Sequence, residues 1–206
     1  MKPIILIPAF KPQKKVLSAL INELLCFDID RIVVVDDGSG PEYQDIFEHI
    51  QTMDQTTVLY HKTNLGKGAA LRTGFRHVLD FRIACSAVVT VDADGQHLPE
   101  DVQQVLLSSR AHPEALIMGA RDLKGSIPLK SLLGNRATYL LFRGLAGRNI
   151  RDTQTGLRAI PRPLIERLLE LKSDRYAYEL EMLLTCVHEA VDIREVGITT
   201  VYEDNN

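Results

Sequence analysis

The 206-residue chain contains no run of about 18 consecutive apolar residues, so its sequence offers no membrane-spanning helix. Cysteine is also scarce. Cys26, Cys85 and Cys186 are far apart, odd in number and without a CxxC pair, which argues for small side chains kept reduced rather than a zinc site or a disulfide framework. The opening MKPIILIPAF is apolar but short and lacks a small-residue cleavage site, so a buried first strand is expected rather than a signal peptide. There is no internal repeat, low-complexity tract or linker. What remains, 45% hydrophobic and 25% charged, is ordinary for a globular protein. The length suits one domain over 1–206 that needs no disulfide or structural metal to hold its core.

Charge is unevenly placed. Between Leu123 and Arg151 stand Lys124, Lys130, Arg136, Arg143, Arg148 and Arg151, with no acidic residue among them. Removing this +6 from the net −3 leaves −9 elsewhere, so the segment is a basic island on an acidic protein. Leu129, Leu132, Leu133, Leu140, Leu141, Phe142 and Leu145 are interleaved with it. A helix over Pro128–Ala146 then has two readings. It packs on the core with an ordinary polar face, or it lies in a membrane interface, where each Lys or Arg gains about 1 kcal/mol from anionic headgroups.

Hydrophobic patterning predicts buried strands at Ile4–Pro8, Arg31–Asp36, Thr57–His61, Ala87–Asp92 and Ala115–Met118. Helices are expected over Lys14–Cys26, from the Gly38–Pro41 turn to about Gln51, from the Asn64–Gly68 turn to about Phe81, and from Pro99. Strands alternating with helices of this length mean βαβ units and a mostly parallel α/β sheet. Further on, a strand is expected at Thr155–Ile160, helices at Pro163–Leu171 and Tyr178–His188, and a pair of short strands within Asp192–Val201.

In such a sheet, ligands sit beyond the carboxyl ends of the strands. The polar clusters fall there: Pro8-Ala9-Phe10, Asp36-Asp37-Gly38-Ser39 and Asp92-Ala93-Asp94. Asp92 and Asp94, two apart at a strand end, offer hard oxygens to one Mg²⁺ or Mn²⁺, with Gln96 and His97 within reach. A turn capped by the same aspartates is the alternative. The Asp36–Ser39 cluster either caps the next helix, or one of its carboxylates receives the base or ribose of a nucleotide. Asn64–Leu71 fails as a Walker A loop, because His61 stands where its first glycine would be and Gly68 replaces the Ser/Thr. Lys67 and Arg72 there either face an anion at a helix start or carry solvated charge. Arg121, after the fifth strand, holds a phosphate or pairs with Asp122. Asp152–Gly156 is a polar cluster, and Glu179 and Glu181 are expected on a solvated helix face.

The ordered pieces ILIPAF, VVVDDGSG, NLGKGAALRTGF, VDADGQH, GARD, DTQTGLRAI and YAYELEMLL cover residues 4–184. Together they resemble family 2 glycosyltransferases of the polyisoprenyl-phosphate type, similar to dolichol-phosphate mannosyltransferases and undecaprenyl-phosphate glucosyltransferases. The resemblance implies a GT-A (Rossmann-like) fold and an inverting transfer with Mg²⁺ or Mn²⁺. UDP-glucose is the favoured donor, with GDP-mannose the other candidate, and the acceptor is a polyprenyl phosphate. It places Pro8, Ala9, Phe10, Asp36, Asp37, Lys67, Arg72, Asp92 and Ala93 about the nucleotide sugar, and Asp92, Asp94 and Gln96 about the metal. Arg121, Lys130 and Arg136 would meet the acceptor phosphate, and Asp94, Asp152 and Arg121 would serve catalysis. Phe10 stands where the family often has Tyr. An anionic phosphate acceptor needs cationic help, which Lys124 and Arg143 could share, whereas a sugar hydroxyl would need a carboxylate base such as Asp152 or Glu179. A transferase on a sugar hydroxyl and a non-catalytic nucleotide-sugar-binding module are the competing readings. Peripheral contact at the cytoplasmic face of a membrane is expected, with no nucleic-acid partner, and membrane segments beyond Asn206 are envisaged.

Overall fold

A computed structural model describes residues 1–121, 150, 152–173 and 176–199. The expected helix at 128–146, the cations Lys124, Lys130, Arg136 and Arg143, and Asp122 lie outside the described residues. One seven-stranded sheet carries the fold: β1 (Ile4–Ala9), β2 (Ile32–Asp36), β3 (Thr56–Tyr60), β4 (Ala87–Thr90), β5 (Leu116–Arg121), β6 (Arg158–Pro161) and β7 (Ile193–Ile198). The helices are α1 (Lys14–Leu24), α2 (Gln44–Gln51), α3 (Lys67–Asp80), α4 (Pro99–Ala111), α5 (Leu164–Leu169) and α6 (Tyr176–His188).

The strand order is β3-β2-β1-β4-β6-β5-β7. The ladders β1/β2, β1/β4, β2/β3 and β5/β7 are parallel, and β6 runs antiparallel to both β4 and β5. The central strands read IILIPA, IVVVD and AVVT because parallel strands covered on both faces need apolar side chains at every position. The edge strands β3 and β7 are only partly buried and carry the polar residues.

Alternation along β1 sorts the core into two layers. Ile5, Ile7 and Ala9 join the inward faces of α1, α2 and α4; Ile4 and Leu6 join those of α3, α5 and α6. α3 approaches β1 closely because Gly74 has no side chain: a Cβ there would overlap the end of Leu6. Pro99 starts α4 at its first turn, where its missing N–H costs nothing, and Glu100 and Asp101 follow with charge that suits a helix N-terminus.

Two expectations change. The strand foreseen at Thr155–Ile160 begins only at Arg158, because Thr155 Oγ1 accepts the Leu157 N–H and holds those residues in a turn. Where a pair of short strands was foreseen within 192–201, the described residues form one strand, paired with β5 over six residues; both Asp101 carboxylate oxygens then accept the Thr199 N–H, 3.1 Å away. Gly74→Val should destabilise the fold by about 2–3 kcal/mol through overpacking against Leu6, seen as a lower midpoint in urea with an unchanged slope.

Candidate active site

The carboxyl ends of β1, β2 and β4 and the start of α3 surround a cleft of about 760 Å³. Its walls are Pro8 to Gln13, Asp37, Asn64, Gly66, Lys67, Ala70 and Asp92 to Asp94. Pro8, Ala9 and Phe10 line it from the carboxyl end of β1. The Phe10 ring is 47% exposed, with Lys11 Nζ 5.5 Å from its centroid.

The two aspartates after β2 divide their work. Asp37 is buried, and Leu65 N–H and Gly66 N–H donate to its two oxygens at 2.9 and 2.8 Å. His61 Nδ1 donates to Asp37 at 2.7 Å, and its Nε2 meets Thr73 Oγ1 at 2.8 Å, tying the turn to α3. Gly66 sits at φ 94°, a left-handed backbone that admits the sharp entry into α3. Asp36 accepts the Ser39 N–H at 2.9 Å and lines a smaller neighbouring hollow beside Tyr60 and Lys62, not the main cleft. Asp36 thus ties the turn after β2 and Asp37, itself on the cleft wall, ties the turn before α3; neither side chain caps the helix that follows them.

Lys67 is the central charge. Its Nζ lies 2.7 Å from Asp92 Oδ1 and 3.2 Å from Glu179 Oε1. Burial pushes the Asp92 carboxyl up, but Lys67 and then His97 outweigh it and hold the group well below the usual carboxylate range. Burial lowers Lys67, and Asp92 and Glu179 outweigh that and raise it. Glu179 is 6% exposed, so the solvated face expected for it is corrected. A signal was present: Tyr178, Met182, Leu183 and Cys186 form the buried stripe of α6, and Glu179 stands in that stripe one turn before Leu183. Glu181 accepts the Ser173 N–H at 3.2 Å.

Arg72 does not line the cleft. Its Nη1 donates to the Ser173 carbonyl at 2.5 Å and its guanidinium lies 5.3 Å from the Tyr178 ring centroid. The helical period carries residue 72 around α3 from the face that Lys67 presents.

Arg121 pairs with Asp152 through two bonds, Nε to Oδ2 at 2.5 Å and Nη2 to Oδ1 at 3.0 Å. Asp152 is fully buried, and Gln154 N–H also donates to it at 3.1 Å. Asp152 is therefore an anchor for Arg121 rather than a carboxylate open to solvent. The loop that follows is held by Arg158, a residue the sequence reading passed over. Its guanidinium, 1% exposed, donates to the carbonyls of Thr153, Thr155 and Glu179 at 2.8–3.0 Å. The same loop brings Gly156 against Asp92, where any Cβ would overlap the carboxylate.

Asp94 is exposed at the cleft, one oxygen accepting the Gln96 N–H at 3.0 Å; Ala93 lies beside it, and Gln96 itself is exposed and outside the cleft wall. His97 is buried, its Nε2 without a hydrogen-bond partner and 3.6 Å from Asp92 Oδ2. Among the described residues, no three His, Cys, Asp or Glu side chains form a cage for a metal ion. Asp92 and Asp94 nevertheless fit a hard divalent cation that takes its other ligands from water and phosphate oxygens, as Mg²⁺ commonly does. The orphaned His97 nitrogen marks this carboxylate end as a place where a polar group is missing its partner.

The architecture is that of a GT-A glycosyltransferase. The chain belongs to Glycosyl transferase family 2, whose pattern it matches over residues 4–169. It is 27% identical over 219 residues to a UDP-N-acetylglucosamine–dolichyl-phosphate N-acetylglucosaminyltransferase of Methanococcus voltae, covering 97% of this chain and 86% of that one. It is 29% identical over 176 residues to a polyprenol monophosphomannose synthase of Mycolicibacterium smegmatis, covering 82% of this chain and 65% of that one. An uncharacterized protein of Methanocaldococcus jannaschii is 32% identical over 206 residues, covering 97% and 82%. In fold it matches glucosyl-3-phosphoglycerate synthase from Mycobacterium tuberculosis, solved with Mn²⁺, UDP and phosphoglyceric acid, at a TM-score of 0.71 and 16% identity over 100% of this chain and 72% of that one.

Two outcomes follow from the geometry. Gly156→Ala should cut glycosyl transfer about tenfold or more by displacing Asp92, while far-UV circular dichroism stays unchanged. Lys67→Met should cost about 2 kcal/mol at pH 7, less than for a fully buried pair because the Asp92 side chain is 27% exposed. A carboxyl held low when folded stabilises the protein above its unfolded pKa and loses that contribution as pH falls below it. The stability gap between wild type and Lys67→Met, read by urea unfolding, should therefore narrow from pH 7 towards pH values below about 4.

Proposed function

We propose that this glycosyltransferase moves a sugar from a nucleoside diphosphate to a polyprenyl phosphate, with a divalent cation and with inversion at the anomeric carbon. The observation that carries the reading is the meeting of Asp92, Asp94 and Lys67 with the exposed Phe10 ring around one cleft. At about 760 Å³ it suits a nucleotide sugar.

Phe10 offers an aromatic face to the base, and Lys67 with the start of α3 offers positive charge to the diphosphate. Asp92 and Asp94, with Gln96 two residues on, would hold Mg²⁺ or Mn²⁺, which when bound neutralises the departing diphosphate. Neighbours of the same fold were crystallised with Mn²⁺ or Mg²⁺ and UDP, which supports both assignments. UDP-glucose is the favoured donor and GDP-mannose the alternative.

The acceptor reading rests on relatives whose names include dolichyl phosphate and polyprenol, and on Arg121. A lipid phosphate is an anion near neutral pH and attacks without a strong base; it needs to be positioned and its charge offset. The two-bond grip of buried Asp152 keeps the Arg121 guanidinium in one orientation, which supports a phosphate acceptor over a sugar hydroxyl. Lys130 and Arg136 are proposed as further cations on that side. No helix among the described residues is long and apolar enough to cross a membrane. Residues 1–206 are read as a catalytic domain that works at the cytoplasmic face through peripheral contact.

The test is calorimetric titration of UDP, GDP and their sugar conjugates with and without Mn²⁺, followed by transfer to dolichyl or undecaprenyl phosphate in vesicles. One nucleotide should bind in a Mn²⁺-dependent way and its sugar should appear on the lipid. Asp94→Ala should weaken the Mn²⁺-dependent binding about a hundredfold or more. Normal turnover by Asp94→Ala removes the cation assignment, and transfer to soluble glycans with none to lipid phosphate removes the acceptor assignment.

A further inference from the structure

Lys67 faces the cleft while placed between two carboxylates from different parts of the chain. Asp92 follows β4, and Glu179 is on α6. Asp92 is also a residue to which the reading above gives the divalent cation. An ammonium 2.7 Å from a carboxylate and a divalent ion on the same carboxylate are like charges within a few ångströms, and they oppose each other. Lys67 and the cation therefore compete for Asp92. Glu179 gives the ammonium a second anchor, so leaving Asp92 does not strand it.

We propose that Lys67 is the built-in counter-ion of Asp92, and that the cation and the nucleoside diphosphate replace it together. The cation takes Asp92, the diphosphate receives the released ammonium, and Glu179 keeps it within reach. The cation alone then binds weakly, because it must displace Lys67 with no anion to receive it. The diphosphate supplies that anion, so each ligand tightens the other, and by equal factors. This rests on the donor-site reading, and it adds an order of events and a role for Glu179.

The experiment is titration of Mn²⁺ followed by electron paramagnetic resonance of the free ion, with and without UDP. Wild type, Lys67→Met, Lys11→Met and Glu179→Gln are compared, each checked by thermal melting. Lys11 lines the same cleft, but its ammonium lies over the Phe10 ring, so its removal controls for a simple change of charge. Wild type should bind Mn²⁺ about tenfold or more tighter with UDP than without. Lys67→Met should bind Mn²⁺ alone about tenfold tighter than wild type and lose most of the gain from UDP. Lys11→Met should show no such tightening. Glu179→Gln, which leaves Lys67 with Asp92 alone, should bind Mn²⁺ alone more weakly than wild type, and it serves if Lys67→Met does not fold. The proposal is overturned if Lys67→Met binds Mn²⁺ alone no tighter than wild type, if Lys11→Met tightens it equally, or if Glu179→Gln binds it as well as wild type or better. Absence of Mn²⁺ binding to wild type with UDP present would bring down the donor site itself, and this inference with it.

Discussion

The contact on which the site depends is between the Lys67 ammonium and the carboxylates of Asp92 and Glu179. It joins the first turn of α3, the end of β4 and the first turn of α6, elements that adjacent-strand pairing alone would not hold in register. Each carboxylate is partly or wholly withdrawn from water, so neither would be tolerated there without a cation. The arrangement concentrates negative charge at a strand terminus while keeping the ligand-free protein stable.

Around this centre the loops are fixed by backbone groups. Asp37 gathers the N–H groups of Leu65 and Gly66, and Arg158 gathers the carbonyls of Thr153, Thr155 and Glu179. The first sets where α3 begins, and so where Lys67 stands. The second sets the distance between the Asp152 loop and α6. A buried guanidinium whose hydrogen bonds all go to backbone carbonyls or a thioether defines geometry without adding a titratable partner.

Much of this was legible in the sequence, for local reasons. RIVVVD and SAVVTVD announce buried parallel strands because their interiors are almost wholly apolar up to the aspartates at the carboxyl end, and that boundary also marks the cleft. Asp92, Asp94, Lys67 and Phe10 could be placed for the same reason. Partners far along the chain were not readable. Nothing near Arg72 shows that its guanidinium reaches Ser173, and nothing near Arg121 shows that Asp152, 31 residues on, receives it. That Asp37 gathers the Leu65 and Gly66 N–H groups was hidden as well, because those donors arise only when the Asn64–Gly68 turn folds over it. Glu179 was expected on a solvated face, although it falls in the apolar stripe of α6. The direction of β6 was equally hidden, since a short run such as RAIP carries no sign of which way it will run.

That direction governs how the two sides of the site can vary. The parallel strands β1, β2 and β4 deliver their polar residues as the chain leaves the sheet, whereas antiparallel β6, with Arg158 opposite Thr90, delivers the Asp152–Gly156 loop as the chain enters it. Departing loops line the cleft; an arriving loop, fastened at its base by Arg158, reaches Asp92 through Gly156. Apart from Gly156, which abuts Asp92, substitutions in that loop can therefore change one side of the site without passing through the strand ends that wall the cleft. The fold thus allows one side of the site to drift while the strand ends of the cleft stay in place.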